Sequence, residues 1–215
     1  MPASDHHGLV VNVARDHGQR LLLLLHGYGA DEHDLAPLAD MIDPDGHFLT
    51  LCPRGPFDVE SGTGAAWYHR DANGDIDQAS FCGALVLLDQ LVDATTAQTG
   101  LDPATMVVIG FSQGAAMTFA LGLRDSTRPR PAAIAGLSGS IPEPPWLEYA
   151  WTASDLPPTY VQHGLDDHVV PIDRARHTRQ VLERHHLELE YHEYNMQHEI
   201  NAPSLTDVRL WLEQH

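Results

Sequence analysis

The chain has no lysine. All 12 of its fixed positive charges are arginine, against 30 aspartates and glutamates, so the formal net charge at pH 7 is −18. A surface charged this way repels phosphate backbones, which sets aside nucleic acid and anionic membranes as partners. Cysteine is nearly absent as well. Cys52 and Cys82 are too few for a disulfide framework, fit a reducing compartment, and read as small buried hydrophobes. No apolar run is longer than Leu21–Leu25, far below the ~20 residues needed to cross a bilayer. Met1–Gly8 also lacks the basic and then apolar signature of a secretory signal. The expectation is a cytoplasmic protein without stable membrane insertion. Acidity without lysine fits a salty habitat or, more simply, a GC-rich genome. Histidine, by contrast, is abundant, and its 15 copies make the net charge steeply pH-dependent near about 6.5.

A chain of 215 residues, 43% of them hydrophobic, suits one domain spanning 1–215, with no repeat, linker or low-complexity tract dividing it. Strand-like runs alternate with helix-period segments, the rhythm of an α/β protein. Strands are expected at Leu9–Val13, Leu21–Leu25, Phe48–Cys52, Met106–Ile109, Ala132–Leu137, Thr159–His163 and Leu187–Tyr194. Runs such as Leu21–Leu25 are continuously apolar, as parallel strands covered on both faces must be. Helices are expected at Asp34–Met41, Asp77–Gln98, Gln113–Leu123, Arg174–His186 and Ser204–Glu213, on both faces of the sheet, with Asp173 as a cap and Pro203 as a start signal. Two long segments, Pro53–Ile76 and the proline-rich Ser138–Pro158, follow strands. They are expected as pocket walls at the carboxyl edge, where such sheets place their ligands.

The sharpest chemical signal is Gly110-Phe111-Ser112-Gln113-Gly114, a G-x-S-x-G between a strand and an alanine-rich helix. A serine hydroxyl is a poor nucleophile, so it needs a tight strand-to-helix turn that exposes it to a base and to helix-terminal N–H groups. An oxyanion site is expected from the backbone N–H of Gln113 and from the glycine turn after Leu21–Leu25, where Tyr28 is the chosen donor. His26 precedes the nucleophile in the chain and reads as structural support for that turn. In this architecture the acid and then the histidine follow the serine. The turn after Thr159–His163 offers Asp166 and Asp167, between which spacing does not choose. His198 hangs in the loop before the last helix, while His192, on the alternating strand, reads as solvated.

These stretches together resemble the phospholipase/carboxylesterase family of small α/β-hydrolases, which includes acyl-protein thioesterases and bacterial carboxylesterases. Those that carry the likeness are Leu25-His26-Gly27-Tyr28-Gly29-Ala30-Asp31, Cys52-Pro53-Arg54-Gly55-Pro56, the Ser112 motif, Leu137-Ser138-Gly139, His163-Gly164 through Asp167 to Val170-Pro171, and Met196-Gln197-His198-Glu199-Ile200. The likeness covers nearly the whole chain. It implies an α/β-hydrolase fold with no cap domain and selects Asp167 as the acid. It departs from the family at Gln197, at Trp67-Tyr68-His69 and at His168, all near the expected pocket, for which Trp67 and Leu165 are the candidate residues.

The implied function is a serine carboxylesterase acting on small-molecule esters of short to medium acyl chain. Ser112, Asp167 and His198 form its triad, and Tyr28 and Gln113 form its oxyanion hole. The rival reading is an acyl-protein thioesterase or lysophospholipase with the same triad. A non-catalytic binding protein would require loss of a triad member, and none is lost. With His198 as base, kcat/KM should rise through an apparent pKa of about 6–7. No cofactor is expected. The pairs His185-His186, His163/His168 and His6-His7 lack zinc-site spacing and read as solvated, and a homodimer is the open alternative to a monomer.

Overall fold

In the computed structural model, residues 4–6, 8–60 and 62–215 are described, the first three by their backbone. Among these residues ten strands form in chain order: β1 (Ser4–His6), β2 (Leu9–Arg15), β3 (Arg20–Leu25), β4 (Phe48–Pro53), β5 (Phe57–Asp58), β6 (Ala65–Ala66), β7 (Val107–Phe111), β8 (Ala133–Leu137), β9 (Thr159–Gly164) and β10 (Leu189–Tyr194). The helices are α1 (Ala39–Ile42), α2 (Gln78–Thr99), α3 (Gln113–Leu123), α4 (Ile172–Arg184) and α5 (Ala202–Leu212). Eight strands make one sheet in the order β1-β2-β4-β3-β7-β8-β9-β10, and β5-β6 form a separate small pair. From β4 to β10 every neighbour is parallel, while β1–β2 and β2–β4 are antiparallel.

The pentaleucine of β3 shows why the sheet sits in the middle. Side chains alternate across a strand. Leu21, Leu23 and Leu25 therefore join Phe81, Leu85 and Leu88 of α2, Met117 of α3 and Leu182 of α4 on one face. Leu22 and Leu24 join Ala39 and Ile42 of α1 and Leu205, Val208 and Trp211 of α5 on the other. All five leucines are at most 1% exposed, and each such burial contributes about 1.5–3 kcal/mol relative to exposure. The helices thus cover both faces, as the apolar runs require.

The structure shifts several of the expected boundaries. Asp34–Met41 is not one helix but a 3-10 turn at Ala36–Leu38 running into α1, because Pro37 has no N–H to donate and can stand only in a helix's first turn. Asp173 is not a cap. Pro171 occupies that position without a side-chain bond, and Asp173 lies inside the first turn of α4. The last helix is instead capped by Asn201, whose side chain accepts from Ser204 N–H while the Ser204 hydroxyl accepts from Asn201 N–H. Cys52 is buried, with its thiol pushed up to about 12 by desolvation, but Cys82 is exposed on α2. His192 is half-buried rather than solvated, its ring 5.5 Å from Tyr160 and its Nε2 2.8 Å from Glu190. The Ser138–Pro158 segment builds no cap. Trp146, Leu147, Tyr149 and Trp151 pack against the core, with Trp151 stacked 4.1 Å from His185.

Candidate active site

Because β3, β7, β8, β9 and β10 run parallel, their carboxyl ends and the loops they feed lie along one edge. Ser112 follows β7 at φ 54°, ψ −114°, a conformation costing about 1–3 kcal/mol for a residue with a Cβ. The strain turns the serine out of the strand axis at the head of α3. The turn also needs Gly114, since a Cβ there would stand 2.1 Å from the Leu25 carbonyl oxygen. Ser112 N–H donates to Leu137 O at 2.8 Å, tying the turn to the neighbouring strand.

Asp167 and His198 reach the serine from two later loops. A Cβ on Gly164 would lie 2.3 Å from Met196 O and 2.4 Å from Gln197 O, so glycine at the end of β9 is what lets the histidine loop close over the acid turn. His198 Nδ1–H donates to Asp167 Oδ2 at 2.7 Å, and Ser112 Oγ–H donates to His198 Nε2 at 2.9 Å. These roles follow from chemistry. An ionised carboxylate only accepts, so Nδ1 carries the proton and Nε2 presents its lone pair to the hydroxyl. Asp167 Oδ1 accepts from the N–H groups of Val169 and Val170, each at 2.8 Å. Burial opposes the charge on Asp167, but the His198 hydrogen bond and these two N–H groups outweigh it and hold the carboxyl below its usual range. Asp166 is exposed beside it. The Phe111 ring packs 4.8 Å from the His198 imidazole.

The glycine turn after β3 abuts the serine, since a Cβ on Gly27 would lie 3.3 Å from Ser112 Cβ. Among the described residues the backbone N–H groups of Tyr28 and Gln113 have no acceptor, while the Tyr28 side chain is 65% exposed. His26 is buried and acts as a strut. Its Nδ1–H donates to Gly27 O at 2.7 Å, its Nε2 accepts from Gly55 N–H at 2.9 Å, and burial lowers its pKa. Trp67, expected in the pocket, is fully buried and donates Nε1–H to His26 O at 2.9 Å. It props the glycine turn from beneath, because an indole enclosed on all sides presents no surface to a ligand. Leu165 is 39% exposed on the acid turn.

Two side-chain roles were invisible in the sequence. The Gln113 amide accepts from Trp67 N–H at 2.7 Å and donates to Tyr68 O at 2.8 Å, clamping the 65–69 loop to the head of α3. Position x of the motif admits many residues, so nothing in its spacing signals this bond. The other is His163, fully buried, whose Nε2 lies 2.7 Å from Val170 O and 3.2 Å from Asp167 Oδ2. Among the described residues no group of three or more His, Cys, Asp or Glu side chains is placed to hold a metal ion, and His7 and the His6 side chain lie outside them.

The chain belongs to the phospholipase/carboxylesterase family, whose family model matches residues 6–215, and its fold is the α/β-hydrolase fold without a cap domain. It is 26% identical over 159 residues to acyl-protein thioesterase 1 of Yarrowia lipolytica, covering 70% of this chain and 68% of that protein. It is similar in structure to esterase PE8, with a TM-score of 0.78, 28% identity and coverage of 95% of this chain and 96% of that one. A carboxylesterase from Mesorhizobium loti shares the fold with a TM-score of 0.83 at 23% identity, covering 100% of this chain and 99% of the other. The family makes the protein an esterase- or thioesterase-type hydrolase.

Proposed function

We propose that this protein is a serine carboxylesterase hydrolysing small-molecule esters of short to medium acyl chain. The observation that carries the reading is the unbroken hydrogen-bond line from Ser112 Oγ through His198 to Asp167. His198 takes the Ser112 proton as Oγ attacks the ester carbonyl, and Asp167 stabilises the imidazolium. The N–H groups of Tyr28 and Gln113 hold the tetrahedral oxyanion. His198 then returns the proton to the leaving alcohol, and water attacks the acyl-enzyme with the same base to free the acid and restore Ser112. Tyr28, Leu165 and Val169, all large, apolar and exposed, stand on the two loops that flank the serine and support an acyl surface open to solvent. On this reading the chain acts as one cytoplasmic domain without a cofactor. The likeness to a fungal acyl-protein thioesterase favours thioester substrates as the second reading.

A fluorophosphonate probe with peptide mapping, followed by an acyl-chain panel of esters and thioesters, tests both. Labelling of Ser112, loss of essentially all turnover in a folded Ser112→Ala variant and preference for short and medium esters are expected. Substantial activity remaining in Ser112→Ala overturns the mechanism, and faster turnover of acyl-thioesters moves the substrate to the second reading.

A further inference from the structure

The acid of the site faces two imidazoles, and only one of them has a role in the mechanism above. His163 stands next to last in β9, four residues before Asp167, and the side chains of both are 0% exposed. Its Nε2 is 2.7 Å from the Val170 carbonyl oxygen, which can only accept, so the proton sits on Nε2. Nδ1 is buried and has no partner among the described residues. Desolvation lowers the pKa of His163, against the opposing pull of Val170 O and Asp167, and keeps the ring neutral. The same Nε2 atom also lies 3.2 Å from Asp167 Oδ2, the oxygen that receives the His198 Nδ1–H, with its proton given to Val170 O.

We propose that His163 is a positioning residue for the triad, acting through Asp167: a buried imidazole that fastens the Asp167–Val170 turn and packs against the carboxylate oxygen on which His198 depends. The turn is closed from two sides. Asp167 Oδ1 holds the N–H groups of Val169 and Val170, and His163 holds the Val170 carbonyl. Removing His163 frees that carbonyl and loosens the turn that aims Oδ2 at His198. A loosened carboxylate stabilises the His198 imidazolium less, so His198 becomes the weaker base. The other ionisable group facing His163 is Glu193, its register partner on β10, whose charge is met by Arg176 at 2.8 Å. His163 has no part in proton transfer itself, since its free nitrogen is enclosed.

The inference rests on the triad reading, and its test separates the two. Wild type, His163→Leu and His163→Gln are compared by fluorophosphonate labelling, circular dichroism, kcat, KM and the pH profile of kcat/KM on a short ester. In the leucine variant kcat should fall by about fivefold, the weight of one neutral hydrogen bond, with KM nearly unchanged and the acid limb displaced to lower pH. Glutamine carries a donor of similar reach and should restore both. Should His163→Leu not fold, His163→Asn takes its place, polar but too short to reach Val170 or Asp167. An unlabelled, inactive wild type refutes the triad reading. A labelled, active wild type with an unmoved limb in the donor-less variant, or with leucine and glutamine variants equally impaired, overturns the role of His163 alone.

Discussion

At the residue scale the site turns on one buried carboxylate held at both oxygens. Asp167 accepts from two backbone N–H groups and from His198, which fixes the imidazole tautomer as much as its orientation. Asp167→Asn replaces an acceptor with a group that presents N–H to Nδ1 or loses the charge behind it. kcat should fall by on the order of 10⁴, as in the serine-protease template, with the fold retained. Asp166→Asn should stay within a few-fold of wild type because that side chain is exposed. Steady-state kinetics on the pair checks the assignment, and the reverse ranking would shift the acid by one position. Spacing alone left these two aspartates equivalent. The family likeness selected one, and the reason becomes physical only when Gly164 lets the His198 loop approach.

At the scale of elements, α4 and β10 are tied by Glu193. Arg176 donates to both of its carboxylate oxygens at 2.8 Å, and Tyr191 OH donates to one of them at the same distance. The Arg176 hydrogen bonds lower the Glu193 pKa from 4.5 to about 2, against burial and with help from Tyr191. A folded-state pKa below the unfolded one stabilises above the ordinary glutamate range. That stability disappears as pH falls from about 4.5 to about 2. Arg176 is half exposed, so screening keeps the contribution small. Urea unfolding of Glu193→Gln should therefore show a small deficit at pH 7 that closes by about pH 2. A deficit of constant size across this range would place the effect in packing rather than charge. None of this is legible in the alternation of β10, which assigns faces but not the helix that will cover them.

For the whole molecule, the decisive feature is what lies over the sheet's carboxyl edge. The 138–158 segment could have formed a cover, but its aromatic residues are spent on the body: Trp146 packs against Phe81 at 5.5 Å and Trp151 on His185. Without an element that opens on lipid, the rate on an ester series should vary smoothly as each substrate passes its solubility limit. The −18 charge weakens attraction to anionic interfaces further. Assays below and above those limits, on neutral and anionic dispersions, check this, and a sharp rise at the limit would reveal a cover that moves.

The amino-acid sequence by itself determined the layers and the order of the chemistry. Leu21–Leu25 had to be a strand buried on both faces, and Gly110–Gly114 had to be a sharp turn. Candidate residues had to follow strands in the order serine, acid, histidine, because hydrophobic period and glycine placement are local properties of the chain. The tertiary structure decided what depends on approach between distant segments: that Trp67 is a strut and not a pocket wall, that the Gln113 amide clamps a loop about forty-five residues away in sequence, and that a second imidazole meets Asp167. Hydrogen bonds of this kind have no period in the sequence. Their partners are fixed only when the sheet has brought the loop ends within about 3 Å of each other.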